Sequence, residues 1–152
     1  MGVLSLEKRK TILICFACIL VVIAISVFFV YKDANPTVIN YVKRNSTELM
    51  NYAESVIKDN NYNSTATYNG WDVSYWAESN MVEFLVKGSG LGSATTYEGF
   101  YYSPDDKPIG FQGADVDFEK ENIGWRWEDS TGDNWNYTEK IIDRWYWFKM
   151  SF

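Results

Sequence analysis

Histidine is absent from the 152 residues, and both cysteines, Cys15 and Cys18, fall inside one apolar run. Ser-His-Asp and Cys-His catalysis are thereby excluded, because each needs an imidazole to take up the nucleophile's proton. Zinc centres built from His or Cys are excluded too. Positive charge is in short supply, with 14 Lys and Arg against 20 Asp and Glu, for a net of −6. Lys8, Arg9 and Lys10 against Glu7 give the first ten residues +2, which leaves −8 on everything after them. An acidic remainder argues against nucleic acid and against adhesion to anionic lipid heads, and it permits a cationic partner. Small exported animal domains usually carry disulfides, so a domain without cysteine fits a bacterial cell surface, of Gram-positive type. Asn45, Asn63 and Asn136 open Asn-x-Ser/Thr triplets. In a chain this rich in Asn, Ser and Thr they are expected by chance, and no glycan is assigned.

The apolar run itself, Thr11–Tyr31, has no charge, no Pro and no Gly. As a helix at ~1.5 Å per residue it extends about 31 Å, the thickness of a bilayer core. Lys8, Arg9 and Lys10 before it outweigh Lys32 and its neighbour Asp33 after it. The positive-inside bias thus predicts a cytoplasmic tail over residues 1–10, a transmembrane helix over 11–31 and an extracytoplasmic domain over 32–152. Tyr31 stands where interfacial aromatic anchors stand. A cleaved signal peptide is the competing reading, with Ala24-Ile25-Ser26 as its small-x-small triplet. Against it, the apolar run continues through Val27, Phe28, Phe29 and Val30, where a cleavable signal turns polar. Cys18 as a lipoprotein site fits less well, because Phe16 and Cys15 precede it and apolar residues follow.

Beyond the run, Asn35-Pro36 is a helix-start pair. Val38, Tyr41, Val42, Leu49, Tyr52, Ala53, Val56 and Ile57 recur at threes and fours, predicting one long amphipathic helix interrupted at Asn45-Ser46 and ending at Lys58-Asp59-Asn60. Residues 59–70 read as a polar turn region. From Trp71 the period becomes two. Trp71–Glu78 and Met81–Lys87 read as a hairpin about Ser79-Asn80, Gly88–Ser93 as a loop, and Thr95–Ser103 as a third strand. Pro104–Pro108 is a turn, after which Ile109–Gln112 is expected to pair back. Gly124–Glu128 and Asn134–Tyr137 flank a turn at Asp129–Asp133, and Ile141–Phe152 reads as one closing strand. The predicted class is α+β: a transmembrane helix, then one long helix packed on an antiparallel meander of about 4–6 strands, a cystatin-like or NTF2-like arrangement of layers. That analogy carries no function.

Motifs of known chemistry do not survive their context. Ser55-Val56-Ile57-Lys58 matches the S-x-x-K of penicillin-binding proteins, but S-D-N and K-T-G are missing and the domain is too small. Lys58 is better placed as a cation at a helix carboxyl end. Gly88-Ser89-Gly90-Leu91-Gly92-Ser93 lacks the Gly-Lys-Ser/Thr of a phosphate loop and precedes a strand. Asp115, Asp117 and Glu119, with Glu121, alternate with Val116, Phe118 and Lys120. On a strand they project from one face, which makes Asp115, Asp117 and Glu119 candidates for weak calcium binding, or else a charged edge that discourages strand pairing. The loop Asp129–Asn134 offers oxygens without the spacing of an EF-hand.

All seven tryptophans lie beyond residue 70. Alternation puts Trp125 with Trp127 on one strand face and Trp145 with Trp147 on another, and these four are the candidate ligand or partner contacts, since aromatic platforms bind sugars and protein hot spots. The competing use of such rings is as the core of a small disulfide-free domain. Tyr146, Phe148, Met150 and Phe152 make the opposite face of the last strand bulky too, so a loop, a partner or a ligand must cover it.

The segments Gly99–Asp106, Gly132-Asp133-Asn134 and Tyr137–Ile141 resemble parts of small single-pass membrane-anchored proteins of Gram-positive gut bacteria. The resemblance covers most of the outer domain. It implies the host and topology just described, and it implies no activity and no catalytic residue. The leading expectation is a non-enzymatic, membrane-tethered binding domain at a bacterial surface, contacting an extracytoplasmic protein or a cell-envelope glycan and needing no cofactor. The alternative is a membrane-anchored immunity or inhibitor protein whose acidic face neutralises a basic exported toxin. A third class, a small carboxylate-dependent hydrolase, needs two carboxylates facing each other across a pocket.

Overall fold

The computed structural model describes residues 36–59, 66–91 and 94–152. The span predicted over 11–31 and the tail before it lie outside the described residues. Among the described residues no helix is long and apolar enough to cross a membrane.

Helix α1 (Pro36–Asp59) forms where the three-four pattern begins, with Pro36 at its first position and Lys58 in its last turn. Its buried stripe is Val38, Val42, Leu49 and Ala53. The interruption expected at Asn45 is a kink: Asn45 has φ −113° and ψ 18°. Its side-chain Nδ2 donates to the Tyr41 carbonyl at 2.8 Å, offering the backbone an alternative to the helical bond.

Eight antiparallel strands follow: β1 (Ala66–Tyr68), β2 (Trp71–Trp76), β3 (Met81–Leu91), β4 (Ala94–Tyr102), β5 (Glu119–Glu121), β6 (Gly124–Glu128), β7 (Trp135–Ile142) and β8 (Trp145–Ser151). They make one sheet in the order β1-β2-β3-β4-β8-β7-β6-β5. This is two four-stranded meanders joined by the β4–β8 pairing, not the single meander of 4–6 strands expected. After β4 the chain leaves the centre of the sheet, crosses to the far edge, and folds back strand by strand until β8 meets β4. At ~4.8 Å per strand the crossing covers about 19 Å, and residues 103–118 make it.

Several local expectations are corrected. The 59–70 turn region contains β1. The Gly88–Ser93 loop is, as far as Leu91, the end of β3, paired to β4 through Leu91 and Ala94. Ile109–Gln112 does not pair back; a 3₁₀ turn at Phe111–Gly113 takes its place. The alternating carboxylates form a strand only at Glu119–Glu121. The closing strand is a hairpin, turned at Asp143-Arg144 with Arg144 at φ 66°.

Each sheet face is closed by the chain itself. Helix α1 lies over β3, β4, β7 and β8. Beneath it are Val73, Val82, Phe84, Phe100, Tyr102, Tyr137, Trp145 and Trp147. Phe84 and Phe100 stack at 4.7 Å between centroids. On the opposite face Met81, Tyr101, Tyr146, Phe148 and Met150 pack against Ile109 and Phe111 of the crossing segment. Both faces of β8 are therefore bulky for a stated reason: each lies under a covering layer, and a fully buried large side chain contributes roughly 1.5–3 kcal/mol.

Candidate functional site

Crossing an apolar face would strand the backbone N–H groups of residues 103–118, and the sheet meets this with buried acceptors. The Ile109 N–H donates to the Tyr101 hydroxyl at 3.0 Å, the Phe111 N–H to Asn136 Oδ1 at 3.0 Å, and the Gln112 N–H to Glu83 Oε2 at 2.9 Å. Thr138 Oγ1 donates to the Trp147 carbonyl at 2.9 Å and lies 2.8 Å from the Tyr101 hydroxyl. Because threonine has one hydroxyl proton, Tyr101 is the donor to Thr138, and the chain of bonds runs from Ile109 through Tyr101 and Thr138 to Trp147. Burial holds the Tyr101 hydroxyl well above its ordinary pKa.

Asp106 fastens the start of the crossing. Its carboxylate accepts from Lys140 Nζ at 2.6 Å, the Arg144 N–H at 2.8 Å and the Tyr146 hydroxyl at 3.2 Å. The Lys140 bond, ahead of the other contacts, lowers the Asp106 pKa, while burial pushes Tyr146 up to about 12.

Glu83 differs from the other acceptors in being ionisable. It is 5% exposed. Burial raises its pKa from 4.5 to about 7 against the lowering effect of the Gln112 N–H. The indole N–H of Trp76 is turned toward the same carboxyl and lowers it further, at a geometry short of a full hydrogen bond, which leaves Nε1 buried and unpartnered. Gln112 (φ 56°) is in the left-handed region. Above this group a cleft of about 530 Å³ runs between the β2–β3 turn and the crossing segment, with Glu78, Ser79, Lys107 and Asp115 on its walls. Glu83 is not among its lining residues, so the carboxyl with a proton to give does not face the space a substrate would fill. A perturbed carboxyl near a cleft is a catalytic signal only when it touches substrate; here it braces Gln112.

The four candidate tryptophans separate. Trp145 is 2% exposed and Trp147 0%. Both lie in the core under α1, where Trp147 Nε1 donates to Glu98 at 3.2 Å. They cannot form a surface platform, because the helix covers the strand face they share. Trp125 and Trp127, on β6, are half-buried at the margin of the opposite core. The exposed face of Trp125 carries Lys120, with Nζ 3.8 Å from the ring centroid. Trp135 on β7, not singled out from the sequence, is covered by Arg126 at 4.7 Å.

Trp127 opens instead into a depression of about 430 Å³ at the sheet edge, walled by Asp117, Glu119, Lys120, Glu121, Arg126 and Glu128. Arg126 bonds Glu128 at 2.6 Å and lies 3.8 Å from Glu121. The rest of the wall carries Asp117 and Glu119 against Lys120, so the depression is acidic on balance. Asp115 and Asp117 precede β5 rather than sharing a strand face with Glu119, and among the described residues no group of three or more His, Cys, Asp or Glu side chains is placed to hold a metal ion. Trp135 had one signal in the sequence, its position in the Trp-rich β6–β7 hairpin; the Trp127 depression had two, the Trp125-Trp127 alternation and the carboxylate run from Asp115 to Glu121, and the sequence lacked only the β5–β6 pairing that joins them.

Comparison with protein-family models, with curated proteins and with solved structures finds no match to this chain. The site is therefore read from its own geometry.

Proposed function

We propose that this chain is a non-enzymatic binding domain, tethered to a bacterial membrane by residues 11–31, with the outer edge of β5 and β6 as its contact surface. The helix-on-sheet layering is of the cystatin-like and NTF2-like kind, an analogy of architecture alone. One observation carries the reading: Trp127 is a half-exposed ring in an acidic depression, beside two tryptophans whose faces are already covered by the protein's own cations. A partner's Lys or Arg laid on Trp127 would repeat that cation–π arrangement and meet Asp117 and Glu119 beside it. Edge strand β5 adds an open hydrogen-bonding ladder for a protein segment. The acidic wall favours a basic extracytoplasmic protein over a neutral glycan. It equally fits the inhibitor reading, in which the basic partner is an exported toxin and co-expression protects the cell.

A photo-reactive residue placed at Trp127 in the full chain, in native membranes, should capture a discrete partner that the same residue at Asp143 does not. Trp127→Ala should then weaken the captured interaction by about tenfold or more, as interface tryptophans do. Equal capture from both positions, or an unchanged affinity in Trp127→Ala, would refute the assignment.

A further inference from the structure

Strand β5 borders the eight-stranded sheet, and among the described residues no strand pairs with its outer side. The two-residue turn Asn122-Ile123 closes the β5–β6 hairpin. Glu121 and Gly124 therefore exchange both backbone hydrogen bonds, and the next pair, Lys120 and Trp125, exchanges none. The N–H and C=O of Lys120 point away from the sheet as a result. A border of this kind is often guarded by a lysine laid out across it. Here Lys120 folds back over Trp125, with Nζ 3.8 Å from the ring centroid, and leaves its own backbone open.

Charge along this border alternates. Glu119 and Glu121 share a face with Arg126 and Glu128, three carboxylates against one guanidinium. Arg126 bonds Glu128 at 2.6 Å and stands 3.8 Å from Glu121 Oε2, which is buried and has no hydrogen-bond partner. Glu119 is exposed. In an extended chain every second residue lies on one face, about 7 Å from the last. A segment with Lys or Arg at alternate positions, laid along β5, thus sets one cation against each glutamate. Just past Glu121, Ile123 is 69% exposed. The turn needs a left-handed residue at Asn122 (φ 50°) and no bulky apolar residue after it, so Ile123 is free to give the end of such a segment an apolar contact.

The same alternation turns away a second copy of this chain. Two β5 edges related by a two-fold axis pair antiparallel with their faces matched, which sets glutamate against glutamate and Lys120 against Lys120. Like charges directly opposed destabilise a strand pair, and unlike charges stabilise it. The border rejects its own kind and accepts a strand of opposite charge.

We propose that an extended segment of a partner protein, with Lys or Arg at alternate positions, joins the sheet as a further strand beside β5. This deepens, and rests on, the reading of the β5–β6 edge as the contact surface. Trp127 follows Arg126, which pairs with Glu119, so a segment that runs along β5 from Ile123 leads the partner to that ring.

The test uses the full chain in detergent micelles at low ionic strength and a pair of synthetic peptides of one composition, acetyl-Thr-Lys-Thr-Lys-Thr-Val-amide and acetyl-Thr-Lys-Lys-Thr-Thr-Val-amide. Binding is followed by the shift of the Glu121 backbone amide resonance. The peptide with alternate lysines should bind severalfold more tightly than its isomer and should slow hydrogen exchange at the Lys120 N–H. Glu119→Gln combined with Glu121→Gln should erase that preference. Lys120→Pro, tolerated where an edge N–H faces solvent, should weaken binding by about tenfold or more. Lys120→Gln, which also uncovers Trp125 but keeps the N–H, should not. Equal affinity for the isomers, or unchanged affinity in Lys120→Pro, overturns strand addition. Self-association of the full chain that Lys120→Pro abolishes overturns it too, by making the occupant a second copy. The preference should persist in Trp127→Ala, so failure of the Trp127 contact and failure of strand addition are told apart.

Discussion

Glu83 makes the stability of this domain fall as pH rises through neutrality, opposite to the usual behaviour of a carboxylate. Its folded pKa, about 7, lies above the ordinary 4.5. Between those values the unfolded chain has released the proton and the native state still holds it, so stability declines with pH across that window and levels off above it. At about 1.4 kcal/mol per pH unit, the whole window amounts to roughly 3 kcal/mol, a large share of the stability of a domain this size. The measurement is unusually clean because the chain has no histidine and both cysteines lie at positions 15 and 18, leaving no other domain side chain that ordinarily titrates from pH 5 to 8. Glu83→Gln keeps an oxygen for the Gln112 N–H and removes the ionisation. Urea unfolding followed by tryptophan fluorescence should show wild type and variant close to each other at pH 5. The variant should then gain on wild type progressively to about 3 kcal/mol at pH 8. A difference that does not change with pH, or one that moves the other way, would refute the account of a desolvated carboxyl under Gln112.

Asp106→Ala should cost about 1–2 kcal/mol, an amount kept modest because the carboxylate and Lys140 are both partly exposed. Since the Asp106 pKa is lowered, the wild-type advantage should persist at neutral pH and disappear as pH drops below the ordinary carboxylate range, which acid unfolding of the two proteins would show. Thr138→Val preserves shape but breaks the relay from Tyr101 to the Trp147 carbonyl, and should cost about 1–3 kcal/mol in equilibrium unfolding. Gly99→Ala should be worse than its size suggests, by about 2 kcal/mol or more: a β-carbon there would run into the Phe84 carbonyl oxygen and meet the Phe148 ring edge at 2.8 Å. A thermal scan showing wild-type stability for Gly99→Ala would mean that β3 and β4 are not packed so closely.

The helix was legible from residue spacing, including the fault at Asn45, because an amphipathic stripe and a side chain able to bond its own backbone are local properties. The first hairpin and the β6–β7 turn were legible for the same reason. The β7–β8 hairpin was not: Ile141-Ile142-Asp143-Arg144-Trp145 has no glycine or asparagine to mark a turn, and Arg144 takes a left-handed conformation that its sequence does not advertise. Residues 109–121 misled in the other direction, since alternation of Asp and Glu with apolar residues suits a strand but also suits a segment lying flat on an apolar face.

Composition by itself settled which chemistry the domain lacks, because the absence of imidazole and thiol holds in any conformation. It also foretold that both faces of the last strand would need a cover, since Tyr146 and Phe148 are as bulky as Trp145 and Trp147. Which cover lies on which face was decided only in three dimensions. The β4–β8 pairing joins residues about fifty positions apart and sends the crossing segment over one face while α1 takes the other. That single long-range pairing buries Trp145 and Trp147, leaves Trp127 at an edge, and places Glu83 beneath a backbone N–H far from it in sequence. No local pattern encodes such a pairing.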